Sequence, residues 1–244
     1  VSALTALTDL RCGNNKDLIA LTGLDQLENL TDLYCINTPL EVLDVSKNKK
    51  LTSLYCSNTG LKALDVSKNT DLTMLDCSLN QLEELKVSGL SNLDTLDCNT
   101  NQLKELNVSG LSSLTELYCN HNQLEALDVA NLSNLVTLYC FNNQLKTLDV
   151  SGLSNLTSLE CENNPFASFK TKNGTLNVNQ TKGGTVKMKA FDFSRSRITL
   201  TATPGTGFSF KEWKNPPVGA NPNGNTIFFD LTGSVDITPV FTGN

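Results

Sequence analysis

The chain has 244 residues, of which 39% are hydrophobic and 18% are charged. This composition is that of a soluble protein with one or two domains. No apolar run approaches the ~18 residues that a membrane-spanning helix requires, and no charged and apolar leader opens the chain, so we expect no membrane insertion.

Charge is distributed unevenly along the chain, whose formal net charge is −6. Residues 1–170 contain 11 Lys and Arg against 21 Asp and Glu, whereas residues 171–244 contain 8 against 4. An acidic surface repels phosphate groups, so we expect no nucleic acid among the partners.

Most of the chain repeats with a period of 21 residues. In the copy from Leu114 to Asn134 the apolar columns are Leu114, Leu117, Cys119, Leu124, Leu127, Val129 and Leu132, and they recur 21 residues earlier and later. One such unit cannot bury both sides of its apolar stripe, so it is stable only when it stacks on further copies. The period therefore predicts a solenoid of about eight coils.

The eight cysteines share one column of the repeat, at Cys12, Cys35, Cys56, Cys77, Cys98, Cys119, Cys140 and Cys161. Adjacent parallel strands lie ~4.8 Å apart, so these side chains should form a buried row of small apolar groups. Disulfides are the alternative, but side chains in register point in parallel rather than toward each other. A linear row also does not converge on zinc, so we expect reduced thiols and no metal.

Two polar columns have structural interpretations. Asn15, Asn80, Asn101, Asn122, Asn143 and Asn164, with Thr38 and Thr59 as substitutes, are predicted to bond the backbone where each coil leaves its strand. Asp44, Asp65, Asp128 and Asp149 precede a Ser or Ala turn and are predicted to cap its amide, with a calcium ladder as the alternative.

The repeat ends near residue 170, where Phe166 and Phe169 replace Leu in two columns and are predicted to close the stack. A turn at 171–174 follows, and alternating patterns predict strands at 175–179, 185–191, 197–203, 208–214, 226–231 and 234–241. Trp213 lies within such a strand and is interpreted as a core residue rather than a binding residue. We therefore predict two domains, 1–170 and 171–244.

The repeat text L-x-x-L-x-C-x-x-N-x-L matches the leucine-rich repeat with Cys in place of the third Leu. The 21-residue period, the Cys column and the text LDVSKN resemble internalin-like bacterial surface proteins. That resemblance implies a right-handed superhelix with a parallel β-sheet on its concave face and extended or 3₁₀ segments on its convex side. The text ITLTATPGTGFSFKEW from Ile198 to Trp213 is similar to the B-repeat module of these proteins, which implies a small β-rich, β-grasp-like domain that acts as a spacer.

The best functional signal is the column between the second Leu and the Cys, whose side chains should point out of the concave sheet. It reads Arg11, Tyr34, Tyr55, Asp76, Asp97, Tyr118, Tyr139 and Glu160, and it contains all four tyrosines of the protein. Tyr34 should stack on Tyr55, and Tyr118 on Tyr139, while His121 and Phe141 extend the face nearby. An exposed aromatic row favours a binding surface. The alternative is that the tyrosines only stabilise the sheet.

Asp76 and Asp97 are predicted to lie side by side on this face. Two parallel carboxylates on an open sheet do not flank a bond from opposite sides, so we expect an acidic patch that selects cationic or polar partners rather than an enzyme. His121 is the only histidine, so we predict a contact residue and no metal site.

The resemblance implies an extracellular adhesion protein on the bacterial cell surface. We predict that its concave face binds a protein, with no cofactor and with the chain as a monomer. A mucin-type glycan is the first alternative, because paired tyrosines also stack on sugar rings, and a structural array without a specific ligand is the second.

Overall fold

The structure is a computed structural model that describes residues 4–243. Its main feature, within those residues, is a parallel sheet of eight three-residue strands that lines one face of a solenoid. In order across the sheet, these strands are Asp9–Arg11, Asp32–Tyr34, Ser53–Tyr55, Met74–Asp76, Thr95–Asp97, Glu116–Tyr118, Thr137–Tyr139 and Ser158–Glu160. The leucine-rich-repeat solenoid that the sequence predicts is confirmed.

The strands pair in the register that the 21-residue period dictates. Leu54 lies opposite Leu75, and Tyr55 lies opposite Asp76. Because side chains alternate across a strand, each central leucine points into the core and its two neighbours point out of the concave face.

The convex side is built from turns and short extended pieces, as the sequence predicts. A 3₁₀ helix, Leu24–Gln26, follows Gly23, whose φ of 79° is the left-handed conformation that glycine adopts without strain. Ala63–Asp65 pairs with Glu84–Lys86 on this side, and Thr147–Asp149 forms another convex strand. The carboxylates of Asp44, Asp65, Asp128 and Asp149 each accept the backbone N–H two residues on, at 2.9 to 3.1 Å, so the predicted capping column is confirmed.

The cysteine column lies inside the solenoid, and every cysteine of the described chain is a free thiol. The seven from Cys35 to Cys161 have no exposed surface, whereas Cys12 is half-buried. Cys12 differs from the expected fully buried column because its coil is the first described one and has a packed neighbour on one side only. Burial raises the pKa of Cys35 to about 12 and those of the later cysteines well above their ordinary value, so these thiols stay protonated.

The asparagine column satisfies the backbone where each coil leaves its strand. Asn80 donates from Nδ2 to the carbonyl oxygens of Cys56 and Cys77, at 2.9 and 3.1 Å, and its Oδ1 accepts from the N–H of Leu61 at 3.1 Å. Asn101, Asn122, Asn143 and Asn164 repeat these bonds to two successive coils, so the predicted structural ladder is confirmed from Asn80 onward. Asn15 differs, because it is exposed and its side chain accepts from the N–H of Asp17 at 3.3 Å. Thr59 occupies the same column, and its shorter side chain donates from Oγ1 to the carbonyl oxygen of Cys56 at 2.9 Å.

Beyond residue 170 the chain forms strands that agree closely with those predicted. They are Gly174–Val178, Gly184–Asp192, Arg197–Pro204, Phe208–Lys214, Thr226–Asp230 and Ser234–Gly243. One further strand, Asn221–Asn223, lies between the predicted strands 208–214 and 226–231, and it pairs with Thr226–Asp230. Trp213 is 8% exposed and packs against Phe210, so its core position is confirmed.

These strands form two sheets. One has the order Thr147–Asp149, Ser168–Thr171, Gly174–Val178, Ser234–Gly243, Phe208–Lys214, and the other has the order Gly184–Asp192, Arg197–Pro204, Thr226–Asp230, Asn221–Asn223. The arrangement differs from a β-grasp fold, in which a helix packs across the sheet, because the described part of residues 171–244 contains strands and turns without a helix.

The two parts of the chain share one core rather than a free linker. Strand Ser168–Thr171 pairs with the convex strand Thr147–Asp149 on one side and with Gly174–Val178 on the other. Phe169 lies 5.4 Å from Phe166 and 5.1 Å from Phe191 between ring centroids, so aromatic side chains close the solenoid as the sequence predicts. The boundary at residue 170 stays a prediction, since this strand belongs to both sides of it. Between residues 4 and 243 no helix has the length and apolar character of a membrane span.

Candidate binding face on the concave sheet

The predicted site residues come together in one row on the concave sheet. Register pairs connect Arg11, Tyr34, Tyr55, Asp76, Asp97, Tyr118, Tyr139 and Glu160 in that order. The six central members of the row are half-buried, because each packs against its neighbours on adjacent strands. With strands ~4.8 Å apart, the row is about 34 Å long from its first member to its last.

The first tyrosine pair stacks as predicted. The rings of Tyr34 and Tyr55 have centroids 4.6 Å apart and planes within 7° of parallel. The Arg11 guanidinium lies over the outer face of the Tyr34 ring, 4.4 Å from its centroid, and bonds Asp9. Burial, with smaller contributions from Tyr34 and Asp76, raises the pKa of Tyr55 above its ordinary value, so its hydroxyl is neutral at physiological pH.

The second tyrosine pair has another geometry, and the prediction of a stack there is wrong. Tyr118 and Tyr139 meet edge to face, with centroids 5.2 Å apart and an angle of 83° between their planes. The Tyr118 hydroxyl donates to Glu116 Oε2 at 2.9 Å, which fixes its ring in that orientation. Burial and this bond raise the pKa of Tyr118 to about 12. Both arrangements are favourable for aromatic pairs.

Asp76 and Asp97 lie on adjacent strands between the two tyrosine pairs, and each closes a turn of its own coil. Asp76 Oδ1 accepts from the Ser78 N–H at 3.0 Å and Asp97 Oδ1 from the Asn99 N–H at 3.0 Å. Burial raises the pKa of Asp97, with Asn99 acting in the opposite direction and Asp76 raising it further. The Asp97 carboxylate is therefore partly desolvated among its neighbours, and its role in an acidic patch that selects cationic or polar partners stays a prediction.

Acidic side chains dominate the concave sheet. The eight strands contain Asp9, Asp32, Asp76, Asp97, Glu116 and Glu160, against Arg11 as their one basic residue among those described. That arginine is itself paired with Asp9 at 3.1 Å. The face therefore carries an uncompensated negative charge along most of its length.

His121 and Phe141 lie at the edge of the same face and contact each other, with ring centroids 5.0 Å apart. The His121 ring nitrogens are 3.1 Å from Asn120 Nδ2 and 2.8 Å from Asn142 Nδ2. A neutral imidazole accepts at one ring nitrogen only, so the tautomer of His121 decides which of these two contacts is a hydrogen bond from the carboxamide. In the described part of the chain, no group of three or more His, Cys, Asp or Glu side chains is placed as metal ligands would be.

A second row at this edge has no counterpart in the sequence predictions. Asn14, Asn37, Asn58, Leu79, Thr100, His121, Asn142 and Asn163 all have φ between 53° and 58°. Asparagine tolerates this left-handed conformation, whereas leucine and the β-branched threonine are strained in it. The carboxamides also bond one another, Asn58 to Asn37 at 2.9 Å and Asn163 to Asn142 at 2.7 Å. The sequence does indicate this row, because Asn recurs in the column immediately before the structural asparagine.

Two of the three non-asparagine members of that row lie in the two coils that carry Asp instead of Tyr, and the third, His121, lies in the coil of Tyr118. Leu79 belongs to the coil of Asp76, and Thr100 to the coil of Asp97. Leu79 is 54% exposed, so its strain is not offset by burial. The coils of Asp76 and Asp97 therefore differ from their neighbours in two columns of the concave side, the tyrosine row and the left-handed row.

A groove with a volume of about 760 Å³ lies elsewhere, on the flank of the first three coils. It forms because Pro39 and Gly60 occupy the column that holds Gln81 in the next coil. Lys16 and Lys62 line it, and none of the predicted site residues does. The candidate face is thus an open, shallow surface of the kind that suits a macromolecule rather than a small molecule.

Comparison with known proteins identifies relatives of both parts of the chain. Residues 112–150 match the leucine-rich repeat model, and residues 174–244 match the divergent InlB B-repeat domain. Among curated proteins, no relative matches this chain.

Solved structures with the same type of solenoid include a leucine-rich repeat protein of Leptospira interrogans, which is 26% identical with a TM-score of 0.64. The match covers 69% of this chain and 46% of that protein, so this chain spans about half of its length. The leucine-rich repeat domain of APL1B is 22% identical over 68% of this chain and 50% of that chain, with a TM-score of 0.56. The functional domain of InlJ from Listeria monocytogenes, which includes a cysteine ladder, is 21% identical over 99% of this chain and 82% of that one, with a TM-score of 0.45.

The two matched models follow one another in the order that the sequence predicts. The repeat model falls within the solenoid, and the B-repeat model begins at the first residue of strand Gly174–Val178. The chain therefore combines leucine-rich repeats with a divergent InlB B-repeat domain and is similar to the internalin-like leucine-rich-repeat proteins.

Proposed function

We propose that this chain is a bacterial cell-surface recognition protein whose concave face binds a protein partner. Leucine-rich repeats and internalin-like folds serve interaction and adhesion in general, which supports a binding role. The B-repeat match supports a surface location, with the C-terminal domain holding the solenoid away from the cell. The function is recognition rather than catalysis, because side-by-side carboxylates on an open sheet do not flank a reacting bond.

One observation carries the proposal, which is that all four tyrosines of the protein lie in a single outward row. Aromatic side chains at the centre of an interface supply much of its binding energy. Two tyrosine pairs, separated by Asp76 and Asp97, give the row two apolar contact points with a charged centre. Three strand spacings, or ~14 Å, separate Tyr55 from Tyr118, which is a span suited to a macromolecular partner.

A protein is favoured over the two alternatives by the charge of the face. Six acidic strand residues against one basic residue give a surface that selects a cationic partner, which a neutral glycan is not. A sugar would need only the tyrosine rings, and a structural array would need neither. The three classes therefore predict different responses to changes at the tyrosines.

The test immobilises the purified chain and measures its binding to a glycan array and to solubilised surface proteins. We expect retention of a protein from the extract, and weakening of that binding by about 2 kcal/mol or more in the Tyr118→Ala/Tyr139→Ala variant. Losing this pair from a sheet costs only ~0.2 to 1 kcal/mol of stability, so the variant remains folded.

The control is Asp44→Asn/Asp65→Asn, which changes two residues of the convex column. Equal loss of binding by both variants would sink the concave-face proposal. Retention of a sugar that is lost in the tyrosine variant would instead establish the glycan alternative. Unchanged affinity of both variants, with a lowered unfolding midpoint for the tyrosine variant, would leave the tyrosines as sheet-stabilising residues alone.

A further inference from the structure

The environment of Arg11 shows how a guanidinium is held at one end of the tyrosine row. Its guanidinium lies 4.4 Å from the Tyr34 ring centroid and bonds Asp9 through two nitrogens, Nε to Oδ1 and Nη2 to Oδ2, both at 3.1 Å. A planar cation is thus held between an aromatic face and a carboxylate, and both contacts are favourable for arginine. This arrangement closes the first end of the row.

The other end of the same stacked pair also has a tyrosine ring beside a carboxylate, here on adjacent strands and without a cation. Tyr34 covers one face of the Tyr55 ring, since the two planes are within 7° of parallel. The opposite face is turned toward the next strand, which places Asp76 in register with Tyr55. In the strands on either side of this position, Ser53–Tyr55 and Met74–Asp76, no basic residue is present to fill it.

The surroundings suit a long side chain with an apolar stem and a charged end. Met74 is half-buried two residues before Asp76, and Leu79 is 54% exposed three residues after it. The Asp76 carboxylate is bound only through Oδ1, to the N–H and the hydroxyl of Ser78 at 3.0 and 2.7 Å, and it forms no ion pair with a described residue. Apolar groups beside an unpaired carboxylate match the methylenes and the head group of arginine.

We propose that the Tyr55 ring and the Asp76 carboxylate, which lie side by side on adjacent strands, together receive an arginine side chain of a partner polypeptide, with the same two kinds of contact that Arg11 makes to Tyr34 and Asp9. The occupant of the concave face is accordingly a basic, extended polypeptide segment. Charge complementarity with the six acidic strand residues supports this choice of partner. The inference rests on the proposed function and defines the partner's chemistry.

The experiment uses a synthetic ten-residue peptide of alternating arginine and serine, since an extended chain of that length covers about 33 Å at ~3.3 Å per residue, close to the length of the row. A second peptide replaces arginine by citrulline, which has nearly the same shape and no charge. Binding is followed by the ring resonances of Tyr55 in the full chain at fixed ionic strength. We expect the arginine peptide to shift these resonances and the citrulline peptide to bind at least about tenfold more weakly.

Two variants locate the contact. Asp76→Asn keeps the Oδ1 acceptor for Ser78 and should weaken binding of the arginine peptide about tenfold. Asp44→Asn is the matched control, because Asp44 closes the same kind of turn with the Ser46 N–H at 2.9 Å on the convex side, and it should change affinity less than about twofold. Unfolding midpoints establish that both variants are folded.

Equal weakening by Asp76→Asn and Asp44→Asn, or equal affinity for the two peptides, overturns the inference and shows general electrostatic attraction. Such a result leaves the proposed function standing, because that proposal depends on partner binding by the Tyr118 and Tyr139 pair. Preferential binding of a glycan by the wild-type chain overturns both. A selective loss in Asp76→Asn together with the citrulline difference supports the inference.

Discussion

The concave and convex faces are made by the same coils, yet they treat their carboxylates in opposite ways. On the convex side Asp65 and Asp149 close Ser turns and also meet Lys86 and Lys170, at 3.7 and 2.9 Å. On the concave side Asp76 and Asp97 close turns of the same type, without a basic side chain among the described residues nearby. The turn chemistry is therefore common to both faces, and the charge compensation is not.

The pKa shifts record this difference. Hydrogen bonds from Ser46 lower the pKa of Asp44, and those from Ser67 lower that of Asp65. Burial raises the pKa of Asp97 on the other face. Hydrogen bonds within their own coils stabilise the convex carboxylates as anions. Burial destabilises the anionic form of Asp97 on the concave face, and a cationic partner would offset that desolvation. The difference distinguishes a face that is complete by itself from one that is suited to a partner.

The largest expected effect is on the core that both faces share. Replacing the fully buried Cys98 by Ser places a hydroxyl among apolar groups, so the free energy of unfolding should fall by about 1 to 3 kcal/mol. Denaturant titration measures it. An unchanged midpoint would mean that the column is not packed as the structure shows, and the common support of the two faces would be lost.

The number of free thiols also tests the packing of the cysteine column. Because the chain has eight cysteines in one column, denaturation without reductant should release eight titratable thiols. In the native state Cys12 should react first, since it alone among the described cysteines is not fully buried. Finding four disulfides after denaturation would contradict the account of the core.

A smaller effect of opposite sign is expected at the strained edge of the concave face. Leu79→Asn restores the residue type that the left-handed backbone prefers, and it supplies a carboxamide next to Asn58, so stability should rise by about 1 kcal/mol. The matched change Asn58→Leu should lower it by a similar amount. If Leu79→Asn were neutral while Asn58→Leu destabilised the chain, Leu79 would not be strained, and the fourth coil would not differ from the other coils in backbone strain.

The smallest expected effect compares one carboxylate from each face. The folded-state pKa of Asp97 is raised, so its ionisation removes stability as pH rises from about 4 through that pKa, and Asp97→Asn should be neutral or stabilising at pH 7. The pKa of Asp44 is lowered, so its contribution is present at pH 7 and is lost as pH falls below about 4. Asp44→Asn should therefore cost a fraction of a kcal/mol, roughly under 1, at pH 7.

Unfolding curves at pH 7 and pH 3 check this comparison. The two variants should differ in opposite directions from the wild type at pH 7, and both differences should shrink at pH 3. Equal destabilisation by Asp97→Asn and Asp44→Asn at pH 7 would remove the electrostatic distinction between the faces.

Much of this architecture follows from the sequence because a stacked repeat has few degrees of freedom. The 21-residue period fixes the register, and the register places Tyr34 beside Tyr55. Column position alone does not fix side-chain torsions, which is why the bond from Tyr118 to Glu116 and the resulting edge-to-face pair were not predictable.

Two further features of the fold do not follow from the repeat pattern. The left-handed backbone of Leu79 and Thr100 is set by the geometry of the turn, and neither residue type indicates that conformation in the sequence. The convex strand Thr147–Asp149 pairs with Ser168–Thr171 and so joins the C-terminal sheet. This pairing connects segments that follow different sequence patterns. The role of the candidate residues in binding stays a prediction, since register shows which side chains are neighbours and not what contacts them.

The central claim is that the partner contacts the concave face, and the composition of the chain offers a direct test. All four tyrosines lie in the concave row, whereas Lys47, Lys49 and Lys50 lie in the convex turns of the second coil. Tyrosine nitration and lysine acetylation, each read residue by residue by mass spectrometry, therefore report the two faces separately. With the captured surface protein bound, the account predicts that tyrosine nitration falls and that acetylation of these lysines is unchanged. Protected lysines beside freely nitrated tyrosines would contradict it.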